Sequence, residues 1–439
     1  MVSDSKSMNR DSKDNWESST ESKYVKMFKS KFDLNQFPND FDNWTVQEQC
    51  AWINENLAIF FPNVPNSLLD FIPAFYYEGD CGRPLEEVPE WLDMDKYRRG
   101  QKFVQENYAA LIFATILGLM HVYSFNEGLE PLILSKRSHT PYLAYKRYLS
   151  TIQRFFSWYE GKPWIKGTSA YKDMQSARKM HLMMRKKLCG LDNEQIDKES
   201  KIAKPWCPDR ELFMHDFAEA CPFEKYLQRP YLLFDNSPYK PKSVNLADMV
   251  LAQCGFVSLV ILYPEKIGIH NATDEDIEAY CHMWRCYGYC LGIEENYNFC
   301  RDSLEEIRQR TRDIYQYWIL PNFKDVTPEW MHMTRCLVES LSYFSWIGYM
   351  PYKTTLLFFS NTLNVSMPRL YASMNYVEWI VHKIWTFIFY FLKFSSFRAV
   401  FNKLLRKVLK EAAEFSPKKH AELEEMSRKQ LSSFSIAQQ

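Results

Sequence analysis

The chain has little glycine and no net charge. Only 13 of its 439 residues are glycine, well below the usual ~7%. Such scarcity disfavours β-barrels, repeats with glycine turns and dinucleotide-binding folds. The 54 Lys and Arg residues are balanced by 54 Asp and Glu residues. Because neutralising phosphates requires a basic surplus, this balance argues against a nucleic-acid-binding protein.

Several short motifs of common enzymes and metal sites are also missing. The sequence contains no GxGxxG, GxxxxGK[ST], GxSxG or HExxH motif, which removes the usual signatures of nucleotide-binding proteins, α/β-hydrolases and zincins. The single Glu-x-x-His unit, from Glu329 to His332, supplies only half of what a di-iron helical bundle requires. Cys286 and Cys290 share a helix face but lack a second ligand pair, so we predict buried free thiols.

The cysteines and the N-terminus indicate a reducing compartment. Eleven cysteines is an odd number, and none of them form a CxxC pair. The first 31 residues are polar and lack the apolar segment of a signal peptide. We therefore expect a cytoplasmic protein with reduced thiols.

Helix signals dominate what is present. The Thr140-Pro141 pair is typical of a helix start, Thr168 or Ser169 can cap a helix that ends at Gly190, and Thr273 caps another. No alternating apolar pattern is long enough to predict a sheet. With 31 Phe, 27 Tyr and 13 Trp, the sequence predicts an all-α fold with an aromatic-rich core.

The chain is predicted to have three parts. Residues 1–31 are expected to form a disordered polar tail, residues 32–370 a helical domain, and residues 371–439 an amphipathic helical region with a charged tail. The apolar run 108–123 is short for a membrane span of ~20 residues, so we expect a central buried helix there. In residues 376–410, apolar and basic side chains interleave at helical spacing, which is typical of a helix lying on a membrane surface. A helix packed on the protein's own core is the alternative.

A histidine lies within an apolar stripe of the helix that follows Thr168. The stripe advances by three or four residues through Tyr171, Met174, Ala177, His181, Met184 and Leu188. Lysines and arginines, among them Arg185, are expected on the other faces. Such a histidine is either a hydrogen-bonded core residue or a metal or haem ligand, because a neutral imidazole binds iron well.

The preceding helix carries large aromatics together with polar groups on one face. At 100° per residue, Arg147, Thr151, Arg154, Phe155 and Trp158 lie within about 100° of one another. Arg147 can bind a carboxylate such as a haem propionate, and Thr151 can donate a hydrogen bond to a bound ligand. A solvated arginine and an ordinary helical threonine are the alternative.

With these residues the chain resembles the rubber oxygenase catalytic domain, a family that includes the latex clearing proteins and the fungal oxygenases of mycophenolic acid synthesis at the endoplasmic reticulum. The resemblance covers roughly residues 100–300. Its specific part is an Arg-x-x-x-Thr motif followed thirty residues later by His. The matching segments are Arg147-Tyr148-Leu149-Ser150-Thr151, Gly167-Thr168, His181, Asp248-Met249-Val250-Leu251, Trp284-Arg285, Gly288 and Leu291-Gly292-Ile293.

The resemblance implies a globin-like helical core that binds haem b. It makes His181 the proximal iron ligand and places Arg147 and Thr151 on the distal side. Trp158 is also expected to line the cofactor. Ser150 stands where latex clearing proteins have a lysine. Glu127 and Glu130 are nearby candidates for a catalytic base.

The expected function is a haem-dependent oxygenase that uses O₂ to cleave a C=C bond in a lipophilic substrate, with peripheral attachment to the cytosolic face of the endoplasmic reticulum. A non-catalytic haem-binding or membrane-associated module is the alternative, and a helical protein that has lost haem is a third.

Overall fold

Helices make up 72% of the chain, which confirms the predicted all-α class. The computed structural model describes residues 8–220, 229–235, 237–345 and 348–437, and these residues contain no β-strand. Helix starts coincide with capping side chains, as the sequence predicts. The hydroxyl of Thr140 accepts from the amide of Leu143 at 3.2 Å, and the hydroxyl of Thr168 accepts from the amide of Tyr171 at the same distance.

The helices follow one another with short connections. The first eight are α1 (Met8–Lys31), α2 (Val46–Glu55), α3 (Leu57–Phe60), α4 (Asn66–Leu69), α5 (Phe71–Ala74), α6 (Met94–Glu106), α7 (Tyr108–Val122) and α8 (Asn126–Leu134). Then come α9 (Pro141–Glu160), α10 (Ser169–Cys189), α11 (Asn193–Glu199), α12 (Arg210–Ala220), α13 (Pro230–Asp235), α14 (Leu246–Leu262), α15 (Asp274–Cys290) and α16 (Leu304–Ile314).

The chain ends with α17 (Leu320–Asn322), α18 (Pro328–Leu341), α19 (Tyr352–Thr362), α20 (Pro368–Ala372), α21 (Tyr376–Phe391), α22 (Ser395–Ala413) and α23 (Pro417–Ala437). A π-helical turn, Tyr315–Ile319, joins α16 to α17. Short 3₁₀ turns lie at Leu34–Gln36, Phe41–Asn43, Pro264–Ile267, Glu295–Tyr297 and Phe323–Asp325.

Two apolar helices form the centre of the core. Almost every side chain of α7 and α14 is buried, so the apolar run at residues 108–123 is the central buried helix that the sequence predicts. The two helices cross at Gly118 and Gly255, where an added Cβ on Gly118 would overlap the carbonyl oxygen of Gly255. These glycines allow the backbones to approach closely.

The prediction of a disordered N-terminal tail is wrong for the second half of that segment. Residues 1–7 lie outside the described part of the chain, but α1 begins at Met8. Near its end Tyr24, Val25, Met27 and Phe28 are buried, and the ring of Phe28 contacts that of Phe60 edge-on, with 5.0 Å between centroids. These aromatic contacts fix the helix on the core.

Helix α21 packs on the same core as the rest of the chain, whereas the buried apolar side chains of α22 and α23 belong to a second cluster with Tyr108 and Tyr145. One apolar cluster extends from Tyr24 to Leu392 and therefore crosses both predicted boundaries, at residues 31 and 370. Among the described residues no single helix combines the length and apolar character of a membrane span. The helices α6 and α7 meet that criterion only as a pair, and the chain bends by 92° between them.

Candidate functional site

Helix α9, which carries three of the four predicted site residues, packs beside α10, which carries His181, and Arg147 and Arg154 are near enough to act on His181 electrostatically. We call this region the α9–α10 seam and define it by Arg147, Thr151, Arg154, Trp158 and His181. The helices approach closely at the Gly161 end, where a Cβ on that glycine would lie 2.7 Å from Cβ of Ala170. A hydrogen bond of 2.6 Å from Oγ of Ser157 to Asp173 ties the helices together there.

His181 is a neutral imidazole with a free nitrogen. Its side chain is half-buried, and Nδ1 is shielded from solvent without a hydrogen-bond partner among the described residues. Burial, reinforced by the positive charges of Arg147 and Arg154, lowers the pKa of His181 to about 4, although Asp80 opposes the shift. The ring is therefore uncharged at neutral pH, which is the state that binds a metal.

Arg147 is oriented by two hydroxyls. Its Nη1 donates to Oγ of Ser135 at 3.2 Å and to Oγ of Ser138 at 3.4 Å. No carboxylate of the described residues forms an ion pair with it, since the ion pairs of the structure involve other arginines. The guanidinium thus keeps donors available for an anionic group.

Thr151 connects the seam to an apolar cavity. Its hydroxyl donates to the carbonyl oxygen of Arg147 at 3.1 Å, and its side chain lines the cavity between α7, α9 and α18. Of the four residues predicted for the site, Thr151 is the one in this wall; His181, Arg147 and Trp158 do not contribute to it.

Arg154 lies at the seam; the sequence prediction placed it on the same helix face as Arg147 but did not select it. It is half-buried, and burial lowers its pKa despite the opposing effect of Asp173. Its Nε is shielded from solvent and has no hydrogen-bond partner among the described residues, and the same is true of Nε1 of Trp158. Arg154 follows Arg147 by seven residues, which is two helical turns. This spacing was the signal that could have identified Arg154.

Two apolar cavities lie on the α7 side of α9. The inner cavity, of about 30 Å³, is lined by Thr151 and Phe155 of α9 together with Tyr108 of α7. The outer cavity, of about 80 Å³, extends from α7 to Trp385 of α21 and Phe401 of α22. Four side chains line both cavities and form the partition between them: Ile112, Ile116, Ile152 and Leu341.

One polar group in the inner cavity lacks a partner. The hydroxyl of Tyr108 is shielded from solvent and forms no hydrogen bond within the described residues, and the tyrosine is only 2% exposed. Burial raises its pKa well above the usual value, so the phenol is protonated. A ligand with one polar atom on an apolar body would satisfy this hydroxyl.

The two predicted base candidates lie in a separate buried cluster. Glu130 accepts hydrogen bonds from Nζ of Lys240 at 2.9 Å and from Oγ of Ser243 at 2.5 Å. Burial and neighbouring Asp235 raise the pKa of Glu127 well above its usual range. Neither glutamate lines the inner or the outer cavity.

Two other histidines have structural partners. His332, from the single Glu-x-x-His unit, accepts at Nδ1 from the amide of Trp206 and contacts the carbonyl oxygen of His139 through Nε2, both at 2.9 Å. Nδ1 of buried His121 lies 2.7 Å from the hydroxyl of Tyr315. Within the described ranges, no group of His, Cys, Asp and Glu side chains is arranged to hold a metal ion.

Ion pairs fix the seam face of α10 relative to the rest of the protein. Nε of Arg178 donates to Oδ2 of Asp80 at 2.6 Å, and both side chains are nearly buried. Arg185, expected on an outer face, is only 7% exposed and pairs with Glu78 at 3.0 Å. The helical pattern could not predict this pair, because Glu78 lies 107 residues away in the sequence.

The seam contains groups that suit haem b. His181 offers an uncharged imidazole, while Arg147 and Arg154 offer donors for the two propionates of the macrocycle. The unpaired Nδ1 of His181 and the unpaired Nε of Arg154 are buried polar atoms that a bound group would satisfy. These groups match haem b by their chemistry alone, since none of them lines the inner or the outer cavity.

Comparisons of the chain with family models, curated proteins and solved structures find no match in any of the three.

Proposed function

We propose that the protein is a haem b-dependent oxygenase that acts on a lipophilic unsaturated compound, with His181 as the iron ligand. The observation that carries this proposal is the state of His181: an uncharged imidazole with a pKa of about 4, flanked by two arginines. A core histidine with only a packing role is normally hydrogen-bonded, whereas Nδ1 of His181 has no partner in the described part of the chain. A globin-like arrangement of the core belongs to the same proposal.

The residues of the seam have distinct roles in this proposal. Haem, when bound, supplies the redox chemistry that activates O₂. Arg147, held by Ser135 and Ser138, and Arg154 bind and orient anionic groups. The hydroxyl of Thr151, which donates its proton to the carbonyl oxygen of Arg147, places one hydrogen-bond acceptor at the boundary between the seam and the inner cavity. The apolar walls of that cavity exclude water.

The test is a haem titration of the purified protein. We expect a Soret band and a positive pyridine haemochrome assay for the wild type and for His215→Ala, which removes a histidine whose side chain is 59% exposed on α12. His181→Ala should lose the band. Full haem occupancy in His181→Ala, with an unchanged Soret position, would eliminate His181 as the ligand.

A second candidate function is a carrier of lipophilic molecules without turnover. It is favoured by one observation: the walls of both apolar cavities omit His181. Oxygen consumption with unsaturated lipids separates the two functions. Stoichiometric lipid binding by haem-loaded protein without oxygen uptake would support the carrier.

A further inference from the structure

Arg137 and Arg147 are held beside each other by one serine in the turn between α8 and α9. The hydroxyl oxygen of Ser135 accepts from the main-chain amide of Arg137 at 3.4 Å and from Nη1 of Arg147 at 3.2 Å. The serine donates its own proton to the carbonyl oxygen of Leu132 at 2.7 Å. The backbone of Arg137 and the guanidinium of Arg147 are therefore fixed on the same oxygen atom.

Arg137 also lies close to α10 and to Arg154. Its Nη1 is 3.6 Å from Sδ of Met180 on α10. Burial lowers the pKa of Arg154, and the positive charge of Arg137 adds to this shift while Asp173 opposes it. Arg147 and Arg154 lie two helical turns apart on one face of α9. We call Arg137, Arg147 and Arg154 the arginine cluster.

The positive charge of the arginine cluster is only partly compensated by the described residues. Asp173, whose charge acts on Arg154, accepts from Oγ of Ser157 at 2.6 Å, and Asp80 is paired with Arg178. Nε of Arg154 is shielded from solvent and has no hydrogen-bond partner in the described part of the chain. Because like charges repel and a buried donor without a partner is unfavourable, an anion bound here stabilises the cluster.

The number and kind of donors suit a phosphate group. A guanidinium offers up to five N–H donors in a planar fork that matches the oxygens of a phosphate. A phosphate monoester has three terminal oxygens and nearly two negative charges, so it can accept from several guanidiniums at once. The buried hydroxyl of Ser138, which accepts from Arg147 at 3.4 Å, helps to orient that arginine before a ligand arrives.

The cluster can be reached from solvent. Arg147 and Arg154 are half-buried, whereas the side chains of Arg137 and of neighbouring Lys136 are exposed. A ligand from solution can therefore contact Arg137 without any movement of the helices.

We infer that the arginine cluster binds the phosphate group of a phosphate monoester, which is either a soluble compound or the headgroup of a lipid. The inference goes beyond the proposed function, because the contacts that assemble the cluster are made by the protein itself and require no haem. When haem is bound, its propionates compete with the phosphate for Arg147 and Arg154.

The test is isothermal titration calorimetry of the full-length purified protein with methyl phosphate, before haem is added. At about pH 8 this probe is a dianion, because the second pKa of a phosphate monoester is near 6. We expect the wild type to bind one equivalent. Arg154→Gln and Arg137→Gln should each raise the Kd at least about tenfold, since each removes charge-assisted hydrogen bonds to the ligand.

The control is Arg98→Gln, which removes one positive charge from a side chain that is 63% exposed on α6. It should bind methyl phosphate as the wild type does. Circular dichroism shows whether the variants are folded; should Arg154→Gln unfold, the exposed Arg137 decides the question alone. An unchanged Kd in the folded cluster variants, or no binding by the wild type, would overturn the inference.

Succinate tests whether the cluster prefers phosphate to carboxylate. It carries two carboxylates and therefore a charge similar to that of methyl phosphate, but no group with three terminal oxygens. We expect it to bind more weakly. Equal or tighter binding of succinate would overturn the assignment to phosphate and favour carboxylates such as the propionates of haem.

Vesicle sedimentation distinguishes the two sources of the phosphate group. The vesicles contain phosphatidylcholine alone or equal parts phosphatidylcholine and phosphatidic acid, whose headgroup is a phosphate monoester. Sedimentation that requires phosphatidic acid and is lost in Arg137→Gln would support the site and assign the phosphate to a lipid. Binding of methyl phosphate without sedimentation would support the site and assign it to a soluble compound.

Failure of this inference is distinguishable from failure of the proposed oxygenase. Phosphate binding by a protein that gives no Soret band on haem titration would support the arginine cluster and refute the oxygenase. A Soret band that depends on His181, in a protein that does not bind methyl phosphate before haem is added, would overturn the phosphate site and leave the oxygenase standing.

Discussion

Gly118 of α7 and Gly255 of α14 face each other so closely that neither has room for a side chain. An added Cβ on Gly118 would overlap the carbonyl oxygen of Gly255, and one on Gly255 would collide with the side chain of Val122. In a chain with so few glycines, these two sit at the crossing of the two most apolar helices.

Gly118→Ala should therefore destabilise the protein. Both helices must move apart, and overpacking of a tight core costs about 1–3 kcal/mol or more. Urea unfolding followed by circular dichroism measures the change. Gly190→Ala is the matched control, because its nearest neighbours would be 3.4 Å or more from the new Cβ; we expect a change within about 0.5 kcal/mol. Equal stability of the two variants would contradict the close crossing.

The Asp80→Asn variant should be less stable to unfolding than the wild type, because the substitution leaves Arg178 without its charged partner. Removing one member of a nearly buried ion pair typically costs ~3–5 kcal/mol, and the pair is only 12% and 8% exposed. Differential scanning calorimetry should show a clearly lower Tm. The control is Asp95→Asn, which should leave the Tm unchanged because Arg98 and Asp95 form a pair whose side chains are 63% and 92% exposed. A wild-type Tm for Asp80→Asn would show that the pair does not hold α10.

Thr151→Val should keep the fold but reduce oxygen consumption with a lipophilic alkene. Valine preserves the shape of the side chain in the inner cavity and removes the hydroxyl that bonds to Arg147. Thr151→Ser, which retains the hydroxyl, should recover most of the rate. The measurement is oxygen uptake by an electrode at matched haem occupancy. Equal rates for the valine and serine variants would remove the hydroxyl from the mechanism.

Asp248→Asn should stabilise the protein at neutral pH more than at acidic pH. Burial raises the pKa of Asp248 from 3.8 to about 7. Since the folded state holds this proton more tightly than the unfolded state, the stability associated with it is complete below pH 3.8 and is lost as the pH rises towards 7. Asparagine can still accept the bonds from the amides of Val244 and Asn245.

The measurement is the free energy of unfolding in urea between pH 4 and pH 7, the window that these pKa values define. The advantage of Asp248→Asn over the wild type should grow across this range. Parallel pH profiles for the two proteins would show that Asp248 does not titrate in the folded state.

Local signals in the sequence were sufficient to predict where α9, α10 and α15 begin. Thr140, Thr168 and Thr273 cap the helices that they precede because a side-chain cap acts within three residues. The seam face of α9 followed from the same local geometry, since helical periodicity determines which side chains share a face.

Features that depend on distant parts of the chain could not be predicted in this way. Arg185 is buried because Glu78 neutralises it from far along the sequence. The two cavities exist because α7, α9, α18, α21 and α22 leave space between them, and no periodic pattern encodes an unfilled volume. The α1 helix is fixed by contacts with Phe60 rather than by its own polar composition.

The side-chain amide of Asn402 connects α22 to the centre of the protein. Asn402 of α22 accepts from the main-chain amide of Ala109 and donates to the carbonyl oxygen of Glu106, both at 2.9 Å. These two backbone groups belong to the break between α6 and α7, where neither helix can pair them. Because Asn402 satisfies both groups, one side chain of α22 caps the end of α6 and the start of α7 at the same time.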